Sequence, residues 1–267
     1  MQANSNAVYT NELEFLEQLC KREALYFSSI GLLEQTPHAY YLRQEALPEY
    51  HDLNRAFHLR EDGCGVQEVV TEVIQHFRNQ GRAVIADVDP IAEAQGIGFA
   101  LRQRGVLPLI GEMLVMAVTS AQASIYVPAD LRIEVIAKSS LSQEQWIALL
   151  ASDSEPETYA MWKQVAQIEA ESPLTRLYLA SLGETPIATC SLASIENWGR
   201  IDSVFTLPEY RRQGVATALV AIAVRDSLAQ GDCLCYLFTE RGGEGEQVYQ
   251  KLGFEIIVRN PLRRHMG

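Results

Sequence analysis

The chain has 267 residues and a formal net charge of −12 at pH 7, with 34 acidic side chains against 22 Lys and Arg. This excess of negative charge argues against a nucleic acid or an anionic membrane as partner. No stretch reaches the apolar length that spans a bilayer, and residues 1–6 have neither the basic region nor the apolar core of a secretory signal. We expect a globular protein of one large or two modest domains.

The thiols and imidazoles are scattered along the chain. The cysteines are odd in number and follow no zinc-site spacing. They are Cys20, Cys64, Cys190, Cys233 and Cys235. The histidines form no cluster with metal-ligand spacing. We therefore expect reduced structural thiols, no metal and a cytoplasmic setting.

Hydrophobic periodicity and turn residues predict an alternating α/β chain. In the first half the predicted elements are a helix over 11–27, strands over 38–43 and 53–59, a helix over 66–79, a strand over 83–88 and a helix over 91–104. Pro128-Ala-Asp130 predicts a turn, which places a domain boundary there and gives domains 1–128 and 129–267.

The second half continues the alternation. Ser142-Gln-Glu-Gln145 resembles a capping box at a helix start. The predicted elements are a strand over 131–137, helices over 143–150 and 157–169, a hairpin of 176–182 and 186–195, a central strand over 200–206, a helix over 215–230, a strand over 234–239, a short helix ending near Tyr249 and a strand over 254–258. We expect the basic segment 259–265 to be a solvated tail, with a late strand as the alternative.

The two halves share a spacing of glycines that follow predicted helices. The intervals are 18 residues from Gly63 to Gly81 against 17 from Gly214 to Gly231, and 24 from Gly81 to Gly105 against 22 from Gly231 to Gly253. This pattern predicts one fold written twice. The alternative is an accidental spacing and an unrelated α/β domain in the first half.

The run from Thr206 to Ala216 is the most informative segment of the chain. It predicts a loop that opens a helix, and Gly214 in that loop lets a ligand approach the backbone closely. The first N–H groups of a helix have no internal partner and carry partial positive charge, so a helix start binds anions such as a pyrophosphate. Arg211 and Arg212 add full positive charges beside it.

A second motif lies downstream, where Tyr249-Gln-Lys-Leu-Gly-Phe254 ends a short helix and leads into an apolar strand. Together with Val204-Phe-Thr206 and Arg211-x-x-Gly214-x-Ala216, in this order and spacing, it resembles the GNAT superfamily of N-acetyltransferases. The resemblance implies an α/β fold with a mixed central sheet flanked by helices. With the internal repeat, we expect two tandem GNAT-like domains, of which the first is degenerate.

The resemblance also implies a cofactor and a place for it. Acetyl-CoA would lie in a V-shaped gap between the central strand and the strand after it. Its pantetheine arm would pair with the backbone of Val204, Phe205 and Thr206. Its pyrophosphate would lie on the loop and helix start formed by Arg211, Arg212, Gln213, Gly214, Val215, Ala216 and Thr217. A neutral amine would then attack the thioester directly.

That reaction needs a proton acceptor for the amine, a donor for the oxyanion and a proton for the leaving thiolate. Tyr249 matches the tyrosine of the family signature and is the candidate acid, or else a core aromatic. Asp202 shares a strand face with Val204 and Thr206 and is the candidate base, or else a structural partner of Arg200. Glu196 is a second candidate base. A backbone N–H near Phe205 is the candidate oxyanion donor.

The first half lacks these features. Glu61 and Asp62 put two acids in its loop, where they would repel a pyrophosphate, and Leu101 stands in the place of Tyr249. We interpret the first half as a copy that kept the fold and lost the site.

The acceptor is a small-molecule or peptide amine of unidentified structure, and the duplication favours a monomer with packed halves. Residues 240–247 depart from the family pattern, because three glycines stand where many members have an Asn, and they predict a flexible segment. A non-catalytic acyl-CoA-binding regulatory module and a transferase of longer acyl groups stay open as alternatives.

Overall fold

The computed structural model describes residues 11–122, 126–152 and 154–267, so residues 1–6, examined above for a signal, lie outside it. The chain forms two compact units, one of Met1–Val115 with Ile257–Gly267 and the other of Met116–Ile256. None of the helices in the described ranges has the length and apolarity needed to cross a membrane.

The first half of the chain alternates helices and short strands. In order these are α1 (Glu12–Ser28), β1 (Leu32–Gln35), β2 (Tyr40–Arg43), β3 (Arg55–Phe57), α2 (Val66–Asn79), β4 (Ile85–Val88), α3 (Pro90–Ala94), α4 (Ile97–Gln103), β5 (Leu107–Pro108) and β6 (Met113–Val118). The side chain of Asn11 caps α1 by accepting from the Leu13 N–H. Helix α2 buries a stripe of five apolar side chains against the sheet: Val69, Val70, Val73, Ile74 and Phe77.

The second half has longer strands. In order its elements are β7 (Leu131–Val135), α5 (Leu141–Ala151), α6 (Tyr159–Glu171), β8 (Thr175–Leu182), β9 (Thr185–Ile195), β10 (Trp198–Thr206), α7 (Val215–Ala229), β11 (Leu234–Glu240), α8 (Glu244–Lys251), β12 (Glu255–Arg259) and β13 (Arg263–Met266).

The two sheets have matching topologies. The six-stranded sheet has the order β1-β2-β3-β4-β13-β5, and the seven-stranded sheet has the order β12-β6-β11-β10-β9-β8-β7. Strands β1, β2 and β3 pair antiparallel before the parallel pair of β3 and β4, as β8, β9 and β10 do before the parallel pair of β10 and β11. The predicted fold class of two mixed, helix-flanked sheets is therefore confirmed.

Each sheet also contains a strand from the opposite half of the sequence. Strand β13 lies between β4 and β5, and β6 lies between β11 and β12. The compact units accordingly differ from the contiguous domains 1–128 and 129–267 expected from the sequence. The composition of the turn at Pro128 carries no information about which sheet the preceding strand joins.

The expectation that residues 259–265 form a solvated tail is wrong. Strand β13 pairs with β4 and with β5, and His265 is fully buried. Arg264 binds both carboxylate oxygens of the buried Asp87, at 2.9 and 3.1 Å. The segment resembles a solvated tail in the sequence because Asp87, the carboxylate that Arg264 binds, lies 177 residues earlier in the chain.

Two local expectations are also corrected. The helix predicted over 91–104 is split into α3 and α4 at Gly96, whose φ of 84° ends the first segment. Helix α5 is capped by Ser140, whose hydroxyl accepts from the Gln143 N–H, and not by Ser142. Ser142 instead donates to Glu134 at 2.9 Å.

Candidate active site in the second unit

Strands β10 and β11 diverge along their length. Their parallel pairing covers Trp198 to Arg200 on β10 and Leu234 to Tyr236 on β11 and then stops, although β10 continues to Thr206. The predicted V-shaped gap is therefore present at the carboxyl ends of these strands. It exposes one backbone edge of β10, which can pair with an extended ligand.

A β-bulge marks the open end of β10. Asp202 pairs with Ser191 on β9, whereas Phe205 pairs with Thr189, so two residues of β10 lie opposite Cys190 alone. Ser203 in the bulge has a φ of 51°, and its carbonyl accepts from the Thr189 hydroxyl at 2.9 Å. The bulge interrupts the alternation of side chains. Asp202 consequently does not share a face with Val204 and Thr206, contrary to the prediction from regular alternation.

The loop after β10 is anchored to the end of that strand. Arg211 donates through Nε to the Thr206 carbonyl at 3.0 Å, and its guanidinium lies 5.9 Å from the centre of the Phe205 ring. Arg212 is exposed and has a φ of 60°, and Gly214 has a φ of 84°. These left-handed residues turn the chain into α7.

The start of α7 is open to an anion. Gly214 is its N-cap and supplies no capping side chain. Within the described ranges, no acceptor is hydrogen-bonded to the N–H groups of Gln213, Gly214, Val215, Ala216 or Thr217. Unpaired amides at the start of a 15-residue helix, with Arg212 beside them, are donors of the kind that bind phosphate groups.

A buried carboxylate lies beneath the bulge, and the sequence analysis missed it. Glu169, near the end of α6, is 8% exposed and accepts from the Ser191 hydroxyl through Oε1 and from the Ser203 hydroxyl through Oε2, both at 2.5 Å. Burial raises the pKa of Glu169 to about 7, and the negative charge of Asp202 adds to the shift. The hydrogen bonds from the two serines and the charge of Arg200 lower the pKa in opposition.

Asp202 is engaged differently. Its Oδ2 lies 2.5 Å from Nη1 of Arg200, and its Oδ1 accepts from the Ser203 N–H at 2.8 Å. Asp202 is thus a structural partner of Arg200, which was the alternative to its role as the base. Glu196 occupies the hairpin turn between β9 and β10, at the opposite end of β10 from the bulge and roughly 20 Å along the strand.

Tyr249 lies on α8 and is 8% exposed. Burial raises the pKa of its hydroxyl well above the ordinary value, with further contributions from Cys190 and Asp202, so both groups lie within electrostatic range. No described residue is hydrogen-bonded to this hydroxyl. Asp202 and Glu169 thus both bind Ser203 in the bulge, and Tyr249 lies within electrostatic range of Asp202 and of Cys190, whose thiol has a pKa raised by burial.

The glycines of 240–247 have a defined structure. The Gly242 N–H donates to Glu246 at 2.6 Å, and Gly243 is the N-cap of α8. A Cβ on Gly245 would lie 3.1 Å from the Tyr249 ring and 3.0 Å from the Thr239 hydroxyl. A larger residue at position 245 would therefore crowd the ring of Tyr249.

Comparisons with known proteins agree with this geometry. Residues 139–254 match the model of the acetyltransferase (GNAT) family. This part of the chain is a GNAT domain. A GCN5-related N-acetyltransferase from Kribbella flavida aligns with 93% of each chain at a TM-score of 0.68 and 18% identity. One from Sphaerobacter thermophilus aligns with 86% of this chain and 76% of its own at a TM-score of 0.62 and 16% identity.

A third solved structure has a tandem arrangement. The tandem GNAT protein from the clavulanic acid biosynthesis pathway aligns with 75% of this chain and 69% of its own, at a TM-score of 0.55 and 12% identity. No curated protein matches the chain in sequence. At these identities the structural matches establish the fold alone.

The first unit contains a counterpart of the GNAT-domain loop, and in this counterpart a carboxylate of the chain itself binds an amide of the loop. Gly65 is the N-cap of α2 with a φ of 96°, and Gly63 has a φ of 78°, which matches Gly214 and Arg212 in the second unit. The equivalent of Gly214 is thus Gly65 and not Gly63. The Glu61 carboxylate accepts from the Gly65 N–H at 2.9 Å, so an internal acid lies where the GNAT domain would bind phosphate.

The helix that carries Leu101 ends like the helix that carries Tyr249. The Val106 N–H binds the Leu101 carbonyl at 3.1 Å, and the Phe254 N–H binds the Tyr249 carbonyl at 3.0 Å. This agreement supports the correspondence of Leu101 and Tyr249. The first unit therefore retains the backbone of the site and lacks its hydroxyl.

The structure brings together one group with metal-ligand chemistry that the sequence pattern did not indicate. The Cys20, His58 and Asp89 side chains each place a ligand atom within 4.8 Å of the others. Arg60 lies 2.9 Å from Asp89, so a guanidinium already balances this carboxylate. Burial and the charge of Arg60 lower the pKa of His58 to about 4. The cluster is a buried ion pair with a neutral imidazole beside it.

Proposed function

We propose that the GNAT domain transfers an acetyl group from acetyl-CoA to a primary amine by direct attack on the thioester. The observation that carries the proposal is the carboxylate of Glu169 beneath the bulge of β10. It is linked to the bulge by the Ser203 hydroxyl, which donates to it at 2.5 Å. Family membership supports acetyl transfer in general, and this carboxylate supplies the base that transfer to an amine requires.

The donor would lie along β10 and the loop that follows it. The backbone of Val204, Phe205 and Thr206 faces the gap left by β11 and is suited to hydrogen bonds with the amides of a pantetheine arm. The open amides at the start of α7 are suited to the pyrophosphate. This arrangement would place the thioester near the bulge.

Glu169 is a better general base than Asp202. An acceptor whose pKa lies near the working pH is the most effective one, and the pKa of Glu169 is about 7. Both carboxylate oxygens of Asp202 are already engaged, Oδ2 by Arg200 and Oδ1 by the Ser203 N–H. We propose that the amine proton passes through the partly exposed Ser203 hydroxyl to Glu169.

Two further groups would act on the thioester. A backbone N–H near Phe205 would stabilise the oxyanion of the tetrahedral intermediate. The Tyr249 hydroxyl would donate a proton to the leaving thiolate, and its raised pKa keeps it protonated at neutral pH.

The alternative is a module that binds acyl-CoA without turnover. It would use the same loop but has no need of a buried base. The test is incubation of the full chain with acetyl-CoA and a panel of amines, with mass-spectrometric detection of acetylated products. Turnover that is lost in Glu169→Gln supports the enzyme. Cofactor binding without turnover on amino acids, polyamines, amino sugars and peptides would favour the module.

A further inference from the structure

A cysteine in the first unit has a base beside it. Cys64 lies in the loop between β3 and α2, immediately before the N-cap Gly65, and its Sγ is 3.7 Å from Nδ1 of His38. By its distance from the N-cap, Cys64 corresponds to Gln213 in the GNAT domain. The loop proposed to bind the pyrophosphate in the GNAT domain thus has a counterpart in the first unit that carries a thiol.

The imidazole of His38 is oriented from its far side. Its Nε2 faces Oε2 of Glu72 at 4.0 Å. The other oxygen of Glu72 accepts from the Thr36 hydroxyl at 2.7 Å and from the Tyr41 hydroxyl at 2.9 Å, so the carboxylate is held in place. A nucleophile, a base within hydrogen-bond reach and a third group that orients the base are the parts of an activated nucleophile.

We propose that Cys64 is a nucleophilic thiol that reacts by thiol–disulfide exchange with small disulfides that carry no negative charge. His38 takes the thiol proton through Nδ1, and the Cys64 sulfur attacks one sulfur of the disulfide. A new S–S bond forms to Cys64 while the original S–S bond breaks. The leaving thiolate takes the proton back from His38. The thiol of Cys64 is oxidised and the small disulfide is reduced, with no other reactant.

The surroundings of the thiol set this charge preference. Glu61 holds its carboxylate on the amide that follows Cys64, and Asp62 lies two residues before it. Both repel an anionic reagent and attract a cationic one. Cys64 immediately precedes the N-cap of α2, so the positive end of the helix dipole lies beside its sulfur.

The other cysteines provide an internal reference. Cys20, Cys190 and Cys235 are buried, whereas Cys233 is exposed. Cys64 is only partly exposed. If access alone controlled the reaction, Cys233 would react faster than Cys64. The proposed activation by His38 reverses that order.

The experiment uses the full chain and cystamine, a cationic disulfide, with peptide mass mapping of each cysteine over time. We expect Cys64 to be modified at least about tenfold faster than Cys233, a modest effect for general-base assistance. His38→Asn should remove the advantage, and Glu72→Gln should reduce it. An anionic aromatic disulfide should show a smaller preference for Cys64 than cystamine does.

Circular dichroism and thermal unfolding of each variant check that the first unit stays folded. A Cys64 that reacts no faster than Cys233 in the wild-type chain would overturn the proposal without any variant. Equal rates in the wild type and a folded His38→Asn chain would overturn the role of the imidazole.

Discussion

The Ser203 hydroxyl donates to Oε2 of Glu169 at 2.5 Å, and this bond connects the bulge of β10 to helix α6. Ser203 can make it because its φ of 51° places the residue outside the regular strand. The bulge thus brings a half-buried hydroxyl between a buried carboxylate and the open edge of β10. A proton released at that edge has a short route to an acceptor.

Replacing the base should abolish most of the turnover. Glu169→Gln keeps the size of the side chain and one acceptor oxygen but removes its basicity. We expect kcat to fall by about 100-fold or more, with the Kd for acetyl-CoA unchanged. Asp202→Asn is the matched control and should retain most of the activity. Full activity in Glu169→Gln would contradict this assignment.

The same carboxylate should make stability depend on pH. The pKa of Glu169 rises from an unfolded value of 4.5 to about 7, so the folded state binds more protons between these values. The free energy of unfolding should therefore fall by up to about 3 kcal/mol in total as pH rises from 4.5 to 7. Above that range it should no longer depend on this group.

Urea unfolding of the wild type and Glu169→Gln at several pH values measures the effect as a difference. At pH 5 the free energy of unfolding of the variant should be equal to or lower than that of the wild type. At pH 8 it should be higher relative to the wild type than it is at pH 5. A difference that does not change with pH would mean that Glu169 titrates at its ordinary value.

The hydroxyl of Tyr249 should matter to chemistry more than to folding. Tyr249→Phe removes a hydroxyl that none of the described residues binds, so the free energy of unfolding should change by less than about 1 kcal/mol. We expect kcat to fall by about 10- to 100-fold, because the leaving thiolate loses its proton donor. A large loss of stability with normal kcat would make Tyr249 a core residue only.

The C-terminal strand should be essential to the first unit. Arg264 pairs with Asp87, which is fully buried, and Arg55 also pairs with Asp87 at 2.8 Å. Arg264→Ala should cost about 2–3 kcal/mol, below the usual cost of an orphaned buried charge because Arg55 remains. The exposed Arg263 offers the control, and Arg263→Ala should change stability by less than about 0.5 kcal/mol. Equal effects of the two changes in urea unfolding would contradict the pairing.

The sequence predicted the features that are written locally. The loop at Gly214, the helix after it and the hairpin of β8 and β9 depend on glycines and periodicity within short windows. The glycine intervals also predicted the duplication. They matched Gly214 to Gly63, whereas its structural equivalent is Gly65, two residues later. These features could be predicted because backbone conformation and helix ends depend on neighbouring residues.

The features that were missed depend on distant contacts. Glu169 is an ordinary acid on a helix until α6 packs against β9 and β10 and encloses it between Ser191 and Ser203. Its only sequence signal is its position three residues after Ala166 and one before Ala170, which places it on the buried face of α6. The bulge at Ser203 likewise has no local marker, because a serine with positive φ is held there by pairing to β9.

We propose that the GNAT domain binds acetyl-CoA on the open amides at the start of α7, whereas the Glu61 carboxylate occupies the equivalent position of the first unit. Isothermal titration calorimetry of the full chain with acetyl-CoA tests this proposal, with Arg212→Glu and Gly214→Glu as variants and Glu61→Gln as the control. We expect micromolar binding of one molecule per chain, lost in both loop variants and retained in the control. No binding by the folded wild-type chain, or undiminished binding in both loop variants, would contradict it.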